Sequence, residues 1–116
     1  MTASRTLLRL VRDDVARELI YTGRIVDGAT AVQLGLATRL ADDPVAEALA
    51  LAGQIAAMAP SAIRAAKRLC LETPDLDAPA ALAHETALQL PLLGAPEQQE
   101  AAMATMQKRA ATFRDP

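Results

Sequence analysis

Apolar positions along the chain recur at spacings of three and four rather than alternating, so the pattern predicts helices separated by short breaks. From Thr2 to Val11, Leu7, Leu8, Leu10 and Val11 interleave with Arg5, Arg9 and Arg12, a helical stripe with Thr2 or Ser4 as candidate N-cap. The stretch from Ala16 to Leu40, ARELIYTGRIVDGATAVQLGLATRL, carries the strongest punctuation. Asp13 or Asp14 can accept hydrogen bonds from the open amides at the start of a helix through Val15, Leu19 and Ile20, and Gly23 can take the left-handed conformation at its end. Asp27 can cap a short helix bearing Ala31, Val32 and Leu34, with Gly35 as its stop. Residues 24–27 and 37–40 read as short strands at most.

Asp42, Asp43 and Pro44 form a helix start, and the helix should run to about Ala59 because Pro60 disfavours helical backbone before it. Its apolar positions, among them Val45, Leu49, Ala52, Ile55 and Met58, cover most of the circumference, with Glu47 and Gln54 as the polar exceptions, so burial on more than one side is expected. Pro60 and Ser61 open a helix with Ala62, Ile63, Ala66, Leu69 and Cys70 inward and Arg64, Lys67 and Arg68 outward. The loop from Thr73 to Pro79 leads to a helix from Ala80 to about Leu90, which Pro91 kinks or ends. A last helix begins at Pro96, has Glu97 and Glu100 in its opening turns and Lys108 and Arg109 at its end, and turns Ala102, Met103, Met106 and Ala110 inward with Phe113 just beyond.

At 116 residues and 52% hydrophobic content the chain can build a core, although aromatics are only 2%, Tyr21 and Phe113. A net charge of −2 gives no broad basic field, which disfavours a nucleic-acid role for Arg5, Arg9, Arg12, Arg64, Lys67 and Arg68 and leaves them as solvated faces. Cys70, the one cysteine, lies between Leu69 and Leu71 and reads as a small buried residue. No apolar run reaches membrane-spanning length and the N-terminus lacks a signal-peptide pattern, so a soluble cytoplasmic protein is expected. His84 and Glu85 are adjacent and point about 100° apart on a helix, so they do not form an acid/base pair and read as structural. No metal-ligand cluster, phosphate loop or Ser/His/Asp grouping is present in the sequence.

Several of these residues, in this order, resemble the enoyl-CoA hydratase/isomerase (crotonase) superfamily. The family's A-x-E-L-x-x-T-G helix exit, extended x-I-x-A, and G-L helix stop are matched at Ala16, Glu18, Leu19, Thr22, Gly23, Ala31, Gly35 and Leu36. Gly28, Thr30 and Ala37 stand where the family usually has Ala, Glu and Val. Pro60, Ala62 and Lys67 match a later motif. The family's closing A-F-x-E-K-R-x-P-x-F is matched at Ala104, Lys108, Arg109 and Phe113, with Thr105 in place of phenylalanine. The resemblance covers the C-terminal part of the family only. It implies a mainly α chain, the helical C-terminal region of a ββα-spiral fold, with residues 1–43 ending the core region and 44–116 forming a helical trimerisation-type region.

The resemblance also implies an acyl-CoA substrate, no resident cofactor, and coenzyme A contacts at Lys108 and Thr105. Homo-oligomerisation as a trimer or hexamer, or association with a separate core chain, would follow. The backbone amides that polarise the thioester carbonyl and the acids of hydratases belong to the upstream core, so no catalytic residue is expected here and the chain reads as the C-terminal part of a truncated or split enzyme. A freestanding helical interaction or oligomerisation module is the alternative.

Overall fold

The computed structural model describes residues 3–114, with side chains described from Thr6 onward. Helices dominate, and among the described residues there is no strand. Residues 24–27 and 37–40 are irregular. A strand needs a neighbour to satisfy its amides and carbonyls, and among the described residues no other segment offers one. No single helix among the described residues is long and apolar enough to cross a membrane.

The chain forms two compact units, residues 1–47 and 48–116. In the first, α1 (Ala3–Leu10) packs on α2 (Asp13–Thr22), and α3 (Gly28–Leu34) follows. Its buried side chains are Val11 and Ala16. Ser4 falls inside α1 rather than capping it, and Thr2 lies outside the described residues. Neither Asp13 nor Asp14 caps α2, because Arg12 occupies the cap position without a side-chain bond and engages Asp14 with its guanidinium. Both acids lie in the first turn, where they favour the helix dipole, and Arg12 holds the Asp14 carboxyl below its ordinary range. The motif residues of α2 build its exit. Thr22 Oγ1 donates to the Glu18 carbonyl at 2.7 Å, and Arg24 Nε reaches Glu18 Oε1 at 2.8 Å across the left-handed Gly23.

Asp27 caps α3 as expected, accepting from the Thr30 amide at 2.8 Å, which lowers its pKa. Gly35 ends α3 at φ +83°, its amide reaching the Val32 carbonyl while the Leu36 amide reaches Ala31 at 2.8 Å. A Cβ at Gly28 would meet Leu40 Cδ2 at 2.6 Å, the tip of an exposed side chain that can swing aside.

Asp43 Oδ1 accepts from the Val45 and Ala46 amides and starts α4 (Pro44–Ala56). This helix ends three residues before the expected Ala59, since Pro60 keeps Ala59 out of the helical conformation and the chain must unwind before it. The larger correction concerns burial. Every residue of α4 is exposed, with Val45 at 69% and Leu49 at 68%, although its pattern asks for cover on more than one side. A pattern records which faces are apolar and not what lies against them.

The second unit continues with α5 (Pro60–Glu72), α6 (Ala78–Gln89), a 3-10 turn (Leu90–Leu92) and α7 (Pro96–Met106). Asp77 caps α6 by accepting from the Ala80 amide, so the helix starts at Ala78, two residues before the expected Ala80, and Pro79 sits in the first turn. Pro91 converts the end of α6 into the 3-10 turn. On α5, Arg64, Lys67 and Arg68 are exposed as expected and Ala62, Ile63 and Leu69 are half-buried. Ala66 and Cys70 are exposed, which corrects the reading of Cys70 as buried: its face of α5 has nothing packed over it. Across α5 and α6, His84 Nε2 lies 2.7 Å from Glu72 Oε2, a close polar contact without the alignment of a directed hydrogen bond. Arg68 also binds Glu72 and, more than His84, keeps that carboxyl below its ordinary range. His84 is therefore structural, and its partner is Glu72 rather than Glu85.

On α7 the expected inward residues Ala102, Met103, Met106 and Ala110 are exposed, and Ala104 is the buried one at 2%. The helix stops at Met106, so Lys108 and Arg109 lie just beyond its last turn rather than within it. Arg109 is recruited elsewhere, as described below.

Candidate functional site

The polar groups of the second unit converge around the start and end of α7. Ala59 precedes α5 and has no side chain able to cap it, so the helix opens with unsatisfied amides. Glu97 supplies the missing acceptor from the first turn of α7, taking the Ser61 amide at 2.9 Å and the Ser61 hydroxyl on the same oxygen, Oε2. One turn later Glu100 faces the returning chain. Arg109 grips its carboxylate with both terminal nitrogens, Nη2 at 2.8 Å from Oε2, and the Thr112 amide donates to Oε1 at 2.9 Å. With three donors on one carboxylate, the Glu100 pKa falls to about 2, the Arg109 bond contributing most and the Thr112 amide next. The Arg109 pKa rises correspondingly. Because the folded-state pKa is depressed, any stabilisation from Glu100 is intact at neutral pH and is lost only as pH falls from about 4.5 toward 2.

Between α7 and that contact the chain reverses at Lys108, whose φ of +53° is left-handed. The Lys108 amide donates to the Thr105 carbonyl at 3.2 Å and the Arg109 amide to Ala104 at 3.0 Å, the paired bonds of a left-handed helix stop. Glycine usually occupies this position, and a non-glycine residue there carries a conformational cost. Lys108→Gly should therefore stabilise the fold by about 0.5–1 kcal/mol, read as a higher midpoint in denaturant unfolding; an unchanged or lower midpoint would mean that the reversal holds no strain.

Two open, mostly apolar clefts flank the returning chain. One, of about 650 Å³, is lined by Ser61, Pro91, Leu92, Glu97, Glu100 and Phe113 among others; the second, of about 530 Å³, by Ala52, Ile55, Met58, Pro60, Ile63 and Phe113 among others. Phe113 borders both. The acids of the first cleft are already engaged by Ser61 and by Arg109 with Thr112, so this arrangement suits binding and positioning rather than proton transfer. Among the described residues no group of three or more His, Cys, Asp or Glu side chains could hold a metal ion.

No family model matches the chain. A probable enoyl-CoA hydratase of Mycobacterium leprae is 36% identical over 115 residues, covering 97% of this chain and 45% of that protein. The crystal structure of an enoyl-CoA hydratase from Polaromonas superposes at a TM-score of 0.87 with 30% identity, over 97% of this chain and 45% of the other. That of an enoyl-CoA hydratase from Mycobacterium tuberculosis gives 0.88 with 26% identity, over 97% and 46%. The chain belongs to the enoyl-CoA hydratase/isomerase family, matching its C-terminal part. It spans a little under half the length of these relatives. Its helices correspond to the helical C-terminal region of the crotonase fold, as the motifs implied.

Within this crotonase region, both residues singled out for coenzyme A fall at the reversal. Thr105 is exposed but spends its hydroxyl on the Ala101 carbonyl at 2.8 Å, inside its own helix. Lys108 is exposed at the apex. Sequence reading missed the two acids that organise the site. Glu97 and Glu100 looked like first-turn charges, and nothing local signals that their partners are Ser61, 36 residues upstream, and Arg109 and Thr112 downstream.

Proposed function

We propose that this chain serves as the C-terminal helical part of an enoyl-CoA hydratase/isomerase-like acyl-CoA enzyme, acting on a fatty acyl-CoA. In this reading it contributes an oligomerisation surface and, through Lys108 beside Thr105, part of the coenzyme A site. The thioester chemistry is supplied by a core outside these residues, and the chain is inactive alone. The observation that carries the reading is α4: an apolar helix exposed at every residue, in a chain whose fold otherwise follows enoyl-CoA hydratases over nearly its whole length. Such a helix is not stable against water without a cover, and the relatives are about twice as long as this chain. A flexible ammonium at an exposed apex suits phosphate as a point charge.

Co-expression with the N-terminal part of the Mycobacterium leprae relative tests the proposal. A stable complex that elutes together is expected, through apolar surface including α4. Separate elution of two soluble polypeptides would contradict it, and a chain that assembles only with itself while the N-terminal part is present would favour the interaction module instead.

A further inference from the structure

We infer that Glu100 is the positioning residue of the C-terminal reversal: by gripping Arg109 and the Thr112 amide it fixes the apex that carries Lys108 and the segment that carries Phe113. The inference rests on the coenzyme A reading of Lys108 proposed above and adds how that lysine is held. Three observations support it. Lys108 keeps a left-handed backbone that glycine would adopt more readily, and such a conformation persists only where its surroundings over-determine it. The two helix-stop bonds to Thr105 and Ala104 fix only the start of the reversal; what returns the chain along α7 is the Glu100 carboxylate, which binds on both sides of residues 110 and 111. The pair is also distinguished by its acid, Glu100 at 22% exposure against 41% for Glu72, 55% for Glu18 and 62% for Asp14 in other pairs. It therefore holds the chain where most exposed pairs hold little. Anchoring Thr112 places the next residue, Phe113, at the border of both clefts.

The test uses the whole chain and two readouts. Amide exchange at Thr112 should accelerate about tenfold in Glu100→Ala, since a charge-assisted acceptor is removed, with helix content by circular dichroism unchanged. Glu100→Gln, nearly isosteric, should fall between the two and guards against a folding defect. Coenzyme A, titrated at low salt and followed by NMR shifts, is the second probe. Lys108→Ala and Glu100→Ala should each weaken binding, and the double variant should bind no worse than Lys108→Ala, because Glu100 acts through the lysine. Additive losses would overturn the positioning role, as would unchanged Thr112 exchange in Glu100→Ala. Equal coenzyme A affinity for Lys108→Ala and wild type would overturn the reading of the lysine instead, and the exchange rates then judge the clasp by themselves.

Discussion

Purified alone, the 116-residue chain should hydrate a short enoyl-CoA no faster than buffer. Thioester chemistry needs donors placed where negative charge develops, each worth on the order of 100 to 1,000-fold, and a positioned acid or base worth about 100 to 10,000-fold more. The carboxylates around the first cleft are occupied, Glu97 by Ser61 and Glu100 by Arg109 and Thr112, and depression of the Glu100 pKa to about 2 removes it as a proton donor at neutral pH. His84 is held against Glu72 on the α5–α6 pair. Saturable turnover, abolished by a point substitution within the chain, would sink this expectation.

The second large effect concerns α4. Val45, Leu49, Ala52 and Ala56 lie along one side of the helix at spacings of four, three and four, with Glu47 and Gln54 on the other, and all are exposed. Without a partner core, the chain should bury this side by self-association, and sedimentation at tens of micromolar should show assemblies larger than a monomer. Burying a leucine side chain is worth about 1.5–3 kcal/mol, and a carboxylate placed there would have to be desolvated as well. Leu49→Glu should then weaken association by roughly tenfold to a hundredfold or more, while helix content stays unchanged because position 49 is exposed on the isolated chain. A wild-type chain that remains a stable monomer would contradict both the surface and its role.

Helix starts were legible where the partner is near in sequence. Asp27 and Asp43 each cap an amide within three residues, and Gly23 and Gly35 take the left-handed stops that their spacing implied, whereas the Asp77 cap was missed and α6 starts at Ala78 rather than Ala80. The rule failed where a competing partner was stronger: Arg12 drew Asp14 away from capping α2. Burial was far less legible. Cys70, Met103 and Met106 carry the signature of an inward face and are exposed, while Ala104, which matched only as one letter of a family motif, is the buried residue of α7. Periodicity gives the apolar side of a helix and not what lies against it. The site was legible in part. Lys108 was found by resemblance, yet its left-handed backbone and the Glu100 clasp depend on contacts across the α7 reversal that no spacing rule encodes.

The most direct measurement is the hydration rate of a short enoyl-CoA when this chain is mixed with the N-terminal part of the Mycobacterium leprae relative, each polypeptide having been assayed alone. Saturable turnover that appears only in the mixture, with a stoichiometric end point, is the predicted result. A complex that forms but stays at the buffer rate, or turnover by the N-terminal part that the chain leaves unchanged, would contradict the account.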